Sequence, residues 1–200
     1  MLLSEMVLGK DYNPLQVRAP SGTPNGGQWV SVGRSTTTYS GSVGLRSRIV
    51  QMSANLGLSE EDFAAVKTIT DEPLPGSRIT STGLFEDSNG VEYLAEWNSK
   101  AGSIFISPAA TDSVLLHEVG HSREEFRMTN TGKFYGDAYD KVKRMKGNSK
   151  KLGEFGLRDY SAKTPQELLA DTFVVWKIGS SQQKTNLASL FGVNDLGELF

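Results

Sequence analysis

Both histidines of the 200-residue chain fall within five residues, His117-Glu118-Val119-Gly120-His121. In an α-helix, positions i and i+4 lie one turn apart on the same face. Two imidazoles placed this way can hold one metal ion. The glutamate between them then sits beside the ion, where its carboxylate can take a proton from bound water. The chain has no cysteine, which excludes a disulfide framework and every thiolate metal site. A catalytic zinc takes three protein ligands and leaves one position for water. With no third histidine, the third ligand of a complete site must be a carboxylate.

The best source of that carboxylate lies downstream, in Thr164-Pro165-Gln166-Glu167-Leu168-Leu169-Ala170-Asp171. Glu167 and Asp171 are four apart and project from one helical face. One of them can bind the metal. The other can accept the free ring N–H of a ligating histidine, which fixes the tautomer and raises the basicity of the ring. Thr164-x-x-Glu167 is also a capping box, so Glu167 could instead serve its own helix. Asp171 as the ligand would need a closer helix approach, and Asp137 and Glu154 are weaker alternatives.

The elements that must position these residues can be read around them. Val114, Leu115 and Leu116 lead into HEVGH and give its helix a buried side, with Thr111 or Asp112 as the cap. Gly120 costs that helix about 1 kcal/mol, which suggests close packing at that turn. Ile79–Phe85, Val91–Trp97 and Ser103–Ser107 read as strands with turns at Asp87-Ser88-Asn89-Gly90 and Asn98–Gly102, together a small antiparallel sheet. Residues 45–69 read as helical, with a capping-box start at Ser59-Glu60-Glu61-Asp62. Thr164 as N-cap and Pro165 at the first position start a later helix, and Leu168, Leu169, Phe173, Val174 and Trp176 form its buried face. Leu187–Phe200 reads as a terminal helix plus tail. The lysines and arginines of residues 133–153 read as a solvated face.

Two resemblances extend this reading. H-E-x-x-H followed by E-x-x-x-D on a later helix resembles the gluzincin peptidases. The segment Tyr160-Ser161-Ala162-Lys163-Thr164-Pro165-Gln166-Glu167-Leu168-Leu169-Ala170-Asp171-Thr172-Phe173 is similar to the catalytic domain of anthrax lethal factor and its relatives, which carry a tyrosine seven residues before the ligand glutamate. This resemblance spans roughly residues 75–178. It implies that Glu167 is the third zinc ligand, that Asp171 is its partner behind the ligand set, and that Tyr160 reaches into the active site. Separately, Arg18-Ala19-Pro20-Ser21-Gly22-Thr23-Pro24-Asn25-Gly26-Gly27-Gln28-Trp29-Val30 resembles a segment of bacteriophage head-morphogenesis and other virion-associated proteins. That likeness implies attachment to phage structural proteins.

The expected fold is therefore α+β and zincin-like: a small antiparallel sheet packed on the active-site helix, followed by a second helical part. Residues 1–44, rich in Pro, Gly and Ser/Thr, are expected to be a flexible arm, and residues 45–200 the domain. The expected activity is zinc-dependent peptide hydrolysis, with Glu118 as the base, Tyr160 as an oxyanion donor and the Ser103–Ser107 strand holding the substrate backbone. The alternatives are a non-catalytic virion or interaction protein on the same scaffold, or a proteolytic toxin effector. The net charge of −2 argues against a general nucleic-acid partner. The N-terminus does not read as a signal peptide and no stretch of eighteen apolar residues occurs, so neither secretion nor a membrane is expected. A cytoplasmic or virion-associated location is expected instead.

Overall fold

The computed structural model describes residues 37–131 and 136–200, with side chains for 37–123 and 137–200. Most of the expected arm, including Arg18–Val30, lies outside the described residues. The fold already includes the end of that stretch. Thr38–Ser40 forms strand β1 and Val43–Leu56 forms helix α1. Thr37 is buried, and its hydroxyl donates to the Val66 carbonyl at 2.7 Å. A threonine-rich run that looks like linker by polarity is thus a strand, in keeping with the β preference of branched side chains.

The helix expected through Ile69 ends sooner. Gly57, at φ +63°, closes α1 in the left-handed conformation. The capping box at Ser59 is present, with the Ser59 N–H donating to Asp62 at 2.7 Å. It starts only a single 3-10 turn, Glu60–Phe63. The β-branched run that follows, Thr68–Thr70, is strand β2, with Ile69 fully buried.

The remaining strands are β3 (Arg78–Ile79), β4 (Phe85–Glu86), β5 (Glu92–Tyr93), β6 (Ala95–Asn98) and β7 (Ser103–Ile106). They do not form one antiparallel sheet. β3, β4 and β5 make a separate meander. Its second turn is held by the Asp87 carboxylate, which accepts from the Asn89 and Val91 N–H groups at 2.8 and 2.9 Å. The main sheet is mixed, in the order β1-β2-β7-β6. β1 and β2 are parallel, β2 and β7 are parallel, and only β6 and β7 are antiparallel. Once the end of the expected helix becomes β2, it takes the far side of β7. The last strand read from sequence is therefore an inner strand, and β6 lies at the edge.

Pro108 ends the β7 segment, and helix α2 follows at Asp112–Thr131. Leu115, Leu116 and Val119 are fully buried, packing among Ile104, Ile106 and Phe173. Short helices α3 (Gly136–Lys143) and α4 (Ser149–Gly153) lead to a 3-10 turn at Asp159–Ala162. Helix α5 spans Pro165–Ile178, and the Thr164 hydroxyl accepts from the Glu167 N–H at 3.2 Å, as its cap position requires. Helix α6 (Ser181–Phe191) and a 3-10 turn at Leu196–Leu199 close the chain. The architecture is α+β. Among the described residues, no helix is long and apolar enough to cross a membrane.

α2 and α5 approach one another closely at Gly120. A Cβ added there would lie 2.9 Å from the Cα and the carbonyl oxygen of Ala170, and 3.0 Å from the Cβ of Phe173. Two of those three neighbours are backbone, so they cannot rotate aside. Gly120→Ala, which would ordinarily favour a helix, is expected to lower stability by about 1–3 kcal/mol through overpacking. Thermal or urea unfolding of the two proteins checks this; equal or higher stability of the variant would contradict the close approach.

Candidate metal centre

The close approach of the two helices sets the faces carrying His117, His121, Glu167 and Asp171 against one another. The His117 Nε2 lies 3.0 Å from Glu167 Oε2 and 3.1 Å from His121 Nε2. His121 Nε2 lies 3.3 Å from the same Glu167 oxygen. Three potential acceptors thus share one small space, and their lone pairs need a positive centre between them. Ligands at about 2.0–2.1 Å from a tetrahedral zinc stand about 3.3 Å apart along each edge. The observed triangle has nearly that size. All three donors are nitrogen or oxygen, the set that a cysteine-free chain can offer. The group fits a zinc ion.

The capping alternative for Glu167 resolves by dividing the residue. Its backbone N–H takes the Thr164 hydroxyl, while its carboxylate faces the histidines. Asp171 lies behind His117: its Oδ1 is 2.8 Å from the His117 Nδ1. This contact favours the tautomer that presents a bare Nε2 to the shared space. Asp171 is itself held by the Arg158 guanidinium at 2.6 Å and by the buried Ser161 hydroxyl at 2.5 Å. Asp137 and Glu154 are exposed, on α3 and at the end of α4, and neither joins the cluster.

Glu118 is buried and accepts a hydrogen bond from the Trp97 backbone N–H on β6. Burial pushes its carboxyl up from the ordinary range, and the two histidines pull part of that shift back. Tyr160 sits on the 3-10 turn, about half exposed, with its ring centroid 6.0 Å from that of His117. Its phenol stands in the electrostatic reach of the Glu167 carboxylate. Burial, together with the negative charge of Glu167, pushes the phenol up to about 12, so it stays a proton donor across the working pH range.

The other shifts follow from the same contacts. Burial works against ionisation of Glu167 and Asp171, yet both are held below the usual carboxylate range. For Glu167 the two histidines outweigh burial; for Asp171, His117 and Arg158 do. Burial alone would lower the pKa of His117, but its hydrogen bonds to Asp171 and Glu167 raise it to about 9. In metal-free protein at neutral pH, His117 is therefore the cation that the acceptors gather around.

Sequence reasoning named every member of the triangle. It did not find Arg158, Ser161 or the Trp97 N–H. Arg158 and Ser161 flank the singled-out tyrosine, but no periodicity ties them to Asp171. A backbone donor leaves no trace in residue identity. The expected substrate strand also changes. β7 is paired on both sides, with β2 and β6, so it has no edge to offer. The Ser107 N–H bonds the Leu94 carbonyl, which makes Glu96 and Asn98 the residues bonded to β7. The backbone groups of Ala95 and Trp97 then point away from β7. No family model, curated protein or solved structure matches the chain.

Two outcomes are expected. Asp171→Asn should weaken zinc affinity about 10–100-fold, measured by competition with a chromophoric chelator; an unchanged affinity would remove Asp171 from the site. The raised His117 pKa fixes a sign as well. The stabilisation it gives the metal-free fold is complete below the ordinary pKa of 6.5 and is lost as pH rises through about 9. Metal-free stability should decline across that interval, and zinc binding at pH 7 should release about one proton. Calorimetry in buffers of differing ionisation enthalpy counts that proton, and a count of zero would rule out a protonated His117.

Proposed function

We propose that the chain is a zinc-dependent endopeptidase of the gluzincin kind, acting on protein or peptide substrates. The observation that carries this reading is the convergence of His117, His121 and Glu167 at tetrahedral spacing, with a buried carboxylate, Glu118, beside them. A zinc ion held by those three residues supplies an acidified water and polarises a peptide carbonyl.

The chain's own groups do the rest. Glu118 takes the proton of the attacking water and returns it to the departing amine nitrogen. Its burial raises its proton affinity, which suits a group that must hold a proton between two steps. The Trp97 N–H keeps the carboxylate aimed. The Tyr160 phenol, protonated throughout, donates to the oxygen that gains negative charge as the carbonyl becomes tetrahedral. Asp171, anchored by Arg158 and Ser161, keeps the His117 ring from rotating. The outward backbone groups of Ala95, with the Trp97 N–H already held by Glu118, suit a substrate that adds along β6 as a further strand, in place of the Ser103–Ser107 strand expected from sequence. A phage or prophage setting rests on the Arg18–Val30 resemblance alone.

Purified chain loaded with zinc and dialysed should retain about one ion per molecule by elemental analysis. Glu118→Gln should keep the metal and lose about 10²–10⁴-fold in hydrolysis of a peptide library, a loss matched in the parent chain by a chelator. His117→Ala should lose both metal and activity. Folded, zinc-loaded chain with no chelator-sensitive cleavage would sink the enzyme reading and favour a non-catalytic role.

A further inference from the structure

We infer that the site selects substrates bearing acidic side chains on the flank that carries Tyr160. The inference rests on the endopeptidase reading above and names the substrate class of that same site.

Charge is unevenly distributed along the chain. Residues 136–163 hold eight Lys and Arg against four Asp and Glu, a net charge of +4 in a chain whose total is −2. All eight basic side chains belong to exposed residues. The segment that ends in β6 reverses the balance: residues 71–98 hold six Asp and Glu against Arg78 alone, a net charge of −5. The two flanks meet at the site: Glu118 is bonded to Trp97 of β6 on one side, and the Tyr160 ring stands 6.0 Å from that of His117 on the other.

The basic flank is joined to the centre by direct contacts. The Lys143 ammonium lies 6.0 Å from the centroid of the Tyr139 ring. The Tyr139 hydroxyl donates to the Lys163 carbonyl at 3.1 Å, which fastens α3 to the end of the 3-10 turn. The Lys163 ammonium in turn lies 5.0 Å from the centroid of the Tyr160 ring, whose other neighbour is His117. Arg158 and Lys163 cap the two ends of the one turn that holds Tyr160. Arg158 spends one arm on Asp171 and keeps 62% of its side chain exposed. Cations thus stand two and three residues from Tyr160, the group proposed to contact substrate. Asp159, the acid within this turn, has an oxygen occupied by the Gly147 N–H at 2.8 Å. A substrate running from β6 toward the turn meets the cations of Arg158 and Lys163 there. Aspartate or glutamate on the turn side gains attraction there, and lysine or arginine is disfavoured.

Zinc-loaded chain incubated with a proteome-derived peptide library, with and without chelator, tests this when cleavage sites are read by mass spectrometry. Chelator-sensitive sites should be enriched in Asp and Glu on one side of the cleaved bond. For a good peptide, replacing those acids by Asn and Gln should raise KM roughly three- to tenfold with little change in kcat, as expected for two rim charge pairs. The difference should shrink as salt rises from about 0.05 to 0.5 M. The double variant Lys143→Glu, Lys163→Glu should invert the preference; if it does not fold, the salt dependence of the parent chain decides. Cleavage without acidic enrichment overturns this inference and leaves the peptidase reading standing. Absence of chelator-sensitive cleavage overturns both.

Discussion

The site depends on one contact, the approach of α2 to α5 at Gly120 and Ala170. Helices ordinarily pack 8–10 Å apart, as their side chains dictate. Here a glycine faces the backbone of a fully buried alanine, and a single added carbon would meet atoms at 2.9 Å. The separation is therefore set near its lower limit. Glutamate is long enough to reach across a wider gap, but Asp171 is not, and its 2.8 Å contact with His117 needs the helices this close. The two residues share a face of α5, so the distance that serves one fixes the reach of the other.

That closeness concentrates charge where water is scarce. His117, Glu118 and Asp171 are all at least 90% buried, and Glu167 is half-buried beside them. Buried ionised groups are tolerated when paired and fully hydrogen-bonded, and are strongly destabilising otherwise. Asp171 meets that condition with His117, Arg158 and Ser161. The His117–His121–Glu167 triangle meets it less well, because the His117 Nε2 faces both His121 and Glu167 and one proton there must serve the two. An arrangement that is costly as a protein interior is economical as a metal site, where a dication satisfies all three at once. The 3-10 turn contributes to both parts, since Ser161 secures Asp171 while the Tyr160 ring packs near His117.

The local signals in the sequence were reliable where a side chain carried them. HEVGH at i, i+4 spacing, the Thr164-Pro165 helix start and the carboxylate pair at 167 and 171 could be read without knowing the topology. Gly120 could be read as a close-packing position because its helix cost called for a cause. The sheet could not be read in the same way. Ser59 to Asp62 does form a capping box, but a cap specifies a start and not a length. The helix stopped after one turn because Thr68-Ile69-Thr70 gains more by pairing between β1 and β7. That pairing is non-local, and it decided which strand was inner and which was the edge. The supports behind Asp171 were hidden for a related reason: Arg158 and Ser161 come near it through the turn and not through any repeat.

The mixed sheet then does more than back the helix. In an antiparallel pair, successive residues alternate between bonding their neighbour and facing away from it. The register of β6 on β7 pairs Glu96 with Phe105 and Trp97 with Ile104. With Glu96 turned toward β7, the Trp97 N–H must face outward, and it meets Glu118 there. A slip of one residue would turn that donor inward and flip every side chain of the strand to the opposite face. The same register therefore aims the proposed base and lays out the backbone groups of the edge next to it. The turn after β7 is short, so α2 begins within a few residues of the strand that sets this register. Strand edge, proposed base and histidine pair are thus tied to one register, and the helical half need supply only Glu167, Asp171 and Tyr160 across the gap that Gly120 keeps narrow.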